Sequence, residues 1–268
     1  MPARWMFLVT LLTLVGPPLG AAQGRGRQAQ PVATSASLAL SPGVVLVKSQ
    51  PGVSSTHPLT MTNLTQRRVL FALRALDVIV REGKRVYVPA GETEGGIARS
   101  AIFDPATLAL NPGESGQVKV TLTVPKEPRV RAVVALFEGR TAVSSQGSVM
   151  VTGSLGTLIT YNLSDRVAVR IGEPSISPQT ESSSLTVSEP LENSGSEPVV
   201  THGTLAILRV SGELVGRVSI EPHRLLPGEK FDCPAAYTRS LAGGRYRAMM
   251  SLEHEGGVQT RTIEFTVP

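Results

Sequence analysis

Few residues in this 268-residue chain have the type and spacing to do chemistry. The four histidines (His57, His202, His223 and His254) are dispersed, and none stands at metal-ligand spacing from another His or from a Cys. Cys233 is the single cysteine, so no disulfide can form within the chain. With only a distant His for a base, it reads as a small buried thiol rather than a nucleophile. Carboxylates such as Asp77 and Glu82 sit beside turn signals, where solvated surface roles are expected. No G-x-S-x-G elbow, phosphate loop or H-E-x-x-H pattern occurs. These residues predict no enzyme, no cofactor and no metal.

The charge points no more strongly to nucleic acid. The net charge is +5, but the basic residues are scattered, with only short pairs such as Arg67-Arg68. Aromatics make up 4% of the chain, too few for base stacking. A mildly basic surface is expected, with weak attraction to acidic wall or membrane polymers as the second reading.

The elements that would position any site are strands. From Phe103 to Pro125, Val118, Val120, Leu122 and Val124 alternate with polar residues, the period of a half-buried strand. Asn111-Pro112-Gly113-Glu114 precedes them with turn chemistry, and the phrase returns as Leu226-Pro227-Gly228-Glu229-Lys230. A strand–turn–strand unit that occurs twice predicts two similar all-β domains in series. The 26 Gly and 20 Pro recur between alternating segments, as many short strands require.

Read in order, Arg4, the apolar run Trp5–Val15 and the small residues Gly20 and Ala22 form an expected secretory leader over 1–22. A flexible arm is expected over 23–36. A first immunoglobulin-like sandwich follows over 37–165, a linker over 166–174 and a second sandwich over 175–268. No transmembrane anchor is expected. The apolar stretch Val69–Val80 is read as a strand, because Val69, Phe71, Leu73 and Ala75 share one face and Val78, Ile79 and Val80 favour it. Asn63 and Asn162 stand in N-x-S/T triplets, read as chance. Tyr246, after Leu241-Ala242-Gly243-Gly244-Arg245, is placed like the tyrosine of an immunoglobulin-type corner, or is an ordinary core tyrosine. Val149 to Leu163 alternates, and is one long strand bent at Gly153 and Gly156 or a hairpin turning on them.

The unit P-x-x-L-x-L-x-P-G-E-S-x-x-V-x-V from Pro105 to Val120, the apolar strand after it and the long alternating strand together resemble the PapD-like periplasmic pilus chaperones. The late phrases L-x-G-G-R-Y-R-A and L-E-H-E-G-G resemble the second sandwich of bacterial surface proteins with such domains. The resemblance implies two tandem sandwiches in a periplasmic or secreted protein. It also implies a non-enzymatic partner-binding role by strand addition, toward a pilus or surface subunit. Val149, Val151, Leu155, Ile159 and Tyr161 would be the partner-binding face, unless these positions face the domain's own core. The family's cleft cations hold a subunit carboxylate, and Lys48 is the cation of an early strand here. No Lys or Arg occurs from Val149 to Leu163, and Thr160-Tyr161-Asn162-Leu163 stands where the family has a basic-aromatic ending. The alternative is a cell-surface scaffold that binds wall polymer, favoured by the basic arm with Arg25 and Arg27.

Overall fold

The computed structural model describes residues 37–141, 152–178 and 185–268. The expected leader and arm lie outside them, as do Val149 and Val151. About two-thirds of the described residues lie in strands, and the rest form turns, loops and one short 3-10 helix at Ala98–Ser100. In its first half run β1 (Leu38–Ser41), β2 (Val44–Lys48), β3 (Ser54–Asn63), β4 (Val69–Arg81), β5 (Lys84–Pro89), β6 (Ile102–Asp104), β7 (Thr107–Leu110), β8 (Ser115–Thr123), β9 (Ala132–Thr141) and β10 (Thr152–Asn162). They form one sheet ordered β1-β3-β8-β6 and another ordered β2-β10-β9-β4-β5, with β7 also on β4. The second half holds β11 (Val169–Ile171), β12 (Ser175–Pro178), β13 (Leu185–Asn193), β14 (Val199–Arg209), β15 (Leu214–Leu225), β16 (Lys230–Tyr237), β17 (Gly244–His254) and β18 (Gly257–Val267). Here β11 and β12 share one side of β13 with β16 on the other, facing a sheet ordered β15-β14-β17-β18. The result is two tandem immunoglobulin-like sandwiches. β11 falls inside the stretch expected to be linker, because Val169 and Ile171 are buried and pair with β13.

Alternation decides what each strand buries. In β4, Val69, Phe71 and Ala75 are buried and Leu73 packs against them, so the strand reading of this stretch holds. Phe71 meets Phe137 of β9 edge-on at 6.3 Å between ring centroids. In β17, Tyr246, Ala248, Met250 and Leu252 fill the second core as their alternation predicts. The Tyr246 hydroxyl donates to the Ala242 carbonyl at 2.6 Å, four residues upstream, which is corner geometry rather than simple core packing. Asp77 overturns its expected surface role. It is fully buried, and its Oδ1 accepts from the backbone N–H groups of Ile97 and Ala98 at 2.8 and 2.9 Å. Burial raises its pKa and those two hydrogen bonds lower it.

Neither recurring Pro-Gly-Glu turn closes a hairpin within one sheet. Each carries the chain across the sandwich, from β7 to β8 and from β15 to β16. Each is held by one buried asparagine. Asn63 Nδ2 donates to the carbonyls of Arg67, Leu110 and Asn111, while Gly113 N–H donates to the Asn63 carbonyl at 2.7 Å. In the second sandwich, Asn193 Nδ2 donates to the carbonyls of Glu197 and Leu225, and Gly228 N–H donates to the Asn193 carbonyl at 2.8 Å. In both turns the Glu carboxylate accepts from a backbone N–H three residues earlier, at 2.8 Å. The repeat is therefore a repeated polar clamp around a turn. Asn63 is fully buried, which explains its presence without any glycosylation.

The second turn also joins the sandwiches. Lys230 N–H donates to the Gly83 carbonyl at 2.9 Å, and Glu229 pairs with Arg85 Nε at 2.8 Å. Gly83 has φ of 80°, and an added Cβ would lie 3.0 Å from the Lys230 side chain. Leu226 packs with Val78, Ala132 and Val134 in an apolar cluster on the outer face of the β9 sheet.

Candidate partner-binding strand edge

β10 is a single continuous strand, and its register explains what each of its residues can do. It pairs antiparallel with β9 along its length, from Thr152 opposite Arg140 to Thr160 opposite Ala132. On its other side β2 pairs in parallel, and only from Leu158 opposite Val44 to Asn162 opposite Lys48. Among the described residues, nothing pairs with that side of Thr152–Gly156. Leu158 N–H donates to the Gly43 carbonyl at 3.0 Å, and the Asn162 carbonyl accepts from Ser49 N–H at 3.1 Å. Even-numbered residues thus point their backbone groups toward the β2 side. By the two-residue period, Ser154 and Gly156 direct theirs to the open edge.

The side chains divide the same way. Ile159 and Tyr161 are fully buried in the first core, and Leu155 packs partly against it. In this conformation they serve the sandwich's own packing, because alternation turns the odd positions inward. The Tyr161 hydroxyl lies 2.9 Å from Ser55 Oγ, which lies 2.9 Å from His57 Nε2. Burial pushes the tyrosine pKa up and the histidine pKa down, favouring the neutral form of each. Ser55-x-His57 on one strand face is the signal that sequence reading missed. The hydroxyl is shared with a fully buried phenol, and the trio ties β3 to β10 across the core.

Lys48 is exposed at the end of β2 and lies 3.7 Å from Asp165. The cation that does reach β10 is Arg224 of β15, whose Nη1 donates to Thr160 Oγ1 at 3.0 Å. Arg224 is buried, its Nε has no hydrogen-bond partner, and its carbonyl accepts from Arg85 Nη2. Desolvation lowers its pKa, countered by Glu255. At the end of β10, Asn162 Nδ2 donates to the Pro198 carbonyl at 3.0 Å. Glu197 accepts from Leu163 N–H at 2.9 Å and from Ser164 Oγ at 3.0 Å. The C-terminal end of β10 is thus fixed to the second sandwich, while among the described residues its N-terminal half has no strand on the β2 side.

Apolar residues cluster on part of the outward face around β10. Val44 and Leu46 of β2 are 50% and 58% exposed, and Tyr87 of β5 is 55% exposed. Between them, Leu76, Val134, Leu136, Gly156 and Leu158 line a hollow of about 390 Å³. Among the described residues, no group of three His, Cys, Asp or Glu side chains could hold a metal. No helix among them is long and apolar enough to cross a membrane.

No protein-family model and no curated protein matches the sequence. Solved structures do. The chain is similar to the class 5 fimbriae chaperone CfaA at 14% identity and TM-score 0.42, covering 87% of this chain and 100% of that one. It is similar to a chain of the CsuC–CsuE chaperone–tip adhesion subunit complex of Acinetobacter baumannii at 13% identity and TM-score 0.40, covering 85% of this chain and 98% of that one. It is also similar to the Escherichia coli chaperone DraB at 16% identity and TM-score 0.38, over 87% and 98% of the two chains. Pilus chaperones, the class that the sequence itself resembles, are thus among the structures to which this chain is similar.

Proposed function

We propose that this protein is an exported, non-enzymatic binding module that holds an extended segment of another exported protein by strand addition to β10. In this reading the leader over 1–22 is removed and the two sandwiches act in the periplasm or outside the cell. They serve there as a chaperone or assembly accessory for a pilus or surface subunit. The observation that carries the reading is that, among the described residues, nothing pairs with the β2 side of Thr152–Gly156, next to the exposed Val44 and Leu46 of β2. Unpaired N–H and C=O groups on a well-held strand are a template for another strand. The C-terminal anchoring of β10 keeps that template in place, which lowers the ordering cost of binding.

The test uses Ser154→Pro. The Ser154 N–H points to the open edge, so proline there removes no bond to β9 and is tolerable on an edge. It blocks an added strand at that point. Mature wild type purified from its native envelope should carry a stoichiometric protein partner, and the variant, folded by circular dichroism, should not. A partner retained by the folded variant, or salt-sensitive capture of cell wall alone, contradicts the reading.

A further inference from the structure

The free half of β10 presents an unusual outer face. Its outward residues are Ser154 and Gly156, small or without a side chain, and bulk resumes only at Leu158. Gly156 is exposed, stands opposite Leu136 of β9, and with Leu158 forms the β10 wall of the 390 Å³ hollow. The glycine is required by its surroundings: an added Cβ would lie 2.5 Å from Val134 Cγ1. Leu136 and Leu158 are half-buried members of the cluster that Leu226 of the second sandwich packs against. The hollow is therefore continuous with the apolar contact between the sandwiches.

We propose that Gly156 is a specificity notch, and that the segment added beside β10 inserts one large apolar side chain over it, against Leu136 and Leu158. This deepens the strand-addition reading and rests on it. Residues opposite each other on neighbouring strands share a face, with Cβ atoms about 5 Å apart. A side chain on the added strand opposite Gly156 therefore meets no Cβ and leans into the hollow, as aromatic residues do across edge glycines. Most polar side chains there would be desolvated without a partner, since the lining is apolar apart from Arg85, already paired with Glu229, and the Tyr87 hydroxyl at its exposed side. The added segment thus carries Phe, Trp or Leu at this one position, with no matching demand opposite Ser154. The knob belongs to the partner and the notch to this chain.

The test is selection from a random nine-residue peptide library against the mature full-length protein, followed by anisotropy on the selected peptides. Wild type is expected to enrich a large apolar residue at one fixed position. Changing that residue to Ala should weaken binding about tenfold. N-methylation of the flanking backbone amides should abolish it. Leu136→Phe, which fills the hollow from a half-buried position without touching the first core, should remove the preference while peptides still bind. Gly156→Ala with Val134→Ala is the second variant, since the valine change relieves the Cβ clash. Peptides that bind and are blocked by N-methylation, but with no apolar position or with a preference unchanged in the folded Leu136→Phe protein, overturn the notch and leave strand addition standing. Binding insensitive to N-methylation, or no enrichment at all, overturns both.

Discussion

Glu189 should make this protein less stable as pH rises toward neutrality. It lies on β13 directly opposite Cys233 of β16, is 1% exposed, and neither carboxylate oxygen has a hydrogen-bond partner. Desolvation raises its pKa from 4.5 to about 7, with Arg261 of β18 opposing and Glu173 adding to the rise. Burial, with Glu189 adding to it, pushes the neighbouring Cys233 thiol up to about 11, so it stays protonated throughout. Below pH 4.5 the carboxyl is protonated in the folded and unfolded chains alike, and its full contribution to stability is present. As pH rises from there through about 7, the unfolded chain releases the proton before the folded one does, and stability falls. At about 1.4 kcal/mol per pH unit, the loss is about 3 kcal/mol between pH 4.5 and 7.5. Urea unfolding at a series of pH values, followed by circular dichroism, measures it. Glu189→Leu, of similar volume and without charge, should be more stable than wild type at pH 8 by a few kcal/mol and should lose this slope. Glu189→Gln should lose the slope as well, though its amide remains without a partner. If wild type and both variants keep the same pH dependence, Glu189 is not a buried, unpaired carboxylate.

Other perturbations follow from the clamps and joints. Asn63→Ala or Asn193→Ala leaves several turn carbonyls and N–H groups without a partner, and each should cost about 2–4 kcal/mol in urea unfolding. Tyr246→Phe removes the bond to the Ala242 carbonyl and should cost about 1 kcal/mol, with unchanged secondary structure. Glu229→Ala leaves Arg85 without its carboxylate and Leu226 N–H without its acceptor. It should lower stability by about 3 kcal/mol in urea unfolding, with secondary structure unchanged by circular dichroism.

Much of the fold was legible because strand alternation is a local signal. β4, β8 and β17 bury the residues that a period of two assigns to them, and the repeated Pro-Gly-Glu phrase did mark two related sandwiches. What the turns join was not legible, since a turn within one sheet and a turn between sheets use the same residues. The decisive partners, Asn63 and Asn193, are distant in sequence from the turns they hold. Asp77 was misjudged for a related reason: the two N–H groups that justify its burial come from the loop at Ile97 and Ala98. At the candidate site, the odd positions of β10 were correctly grouped on one face, but alternation alone cannot say whether that face meets a partner or the core. Burial of Ile159 and Tyr161 answers for this conformation, and turns attention to the small outward residues Ser154 and Gly156. Their significance lies in how far β2 extends along β10, which is a matter of register between segments over a hundred residues apart.

Amide hydrogen exchange at Ser154 and Gly156 tests strand addition most directly. In the free protein both N–H groups face the open edge and should exchange fast, while Leu155, directed at β9, exchanges slowly. With the co-purified subunit or a selected peptide bound, Ser154 and Gly156 should become protected by at least an order of magnitude, with Leu155 unchanged. Fast exchange at both positions in the bound state, with protection appearing at another sheet edge, would contradict the account.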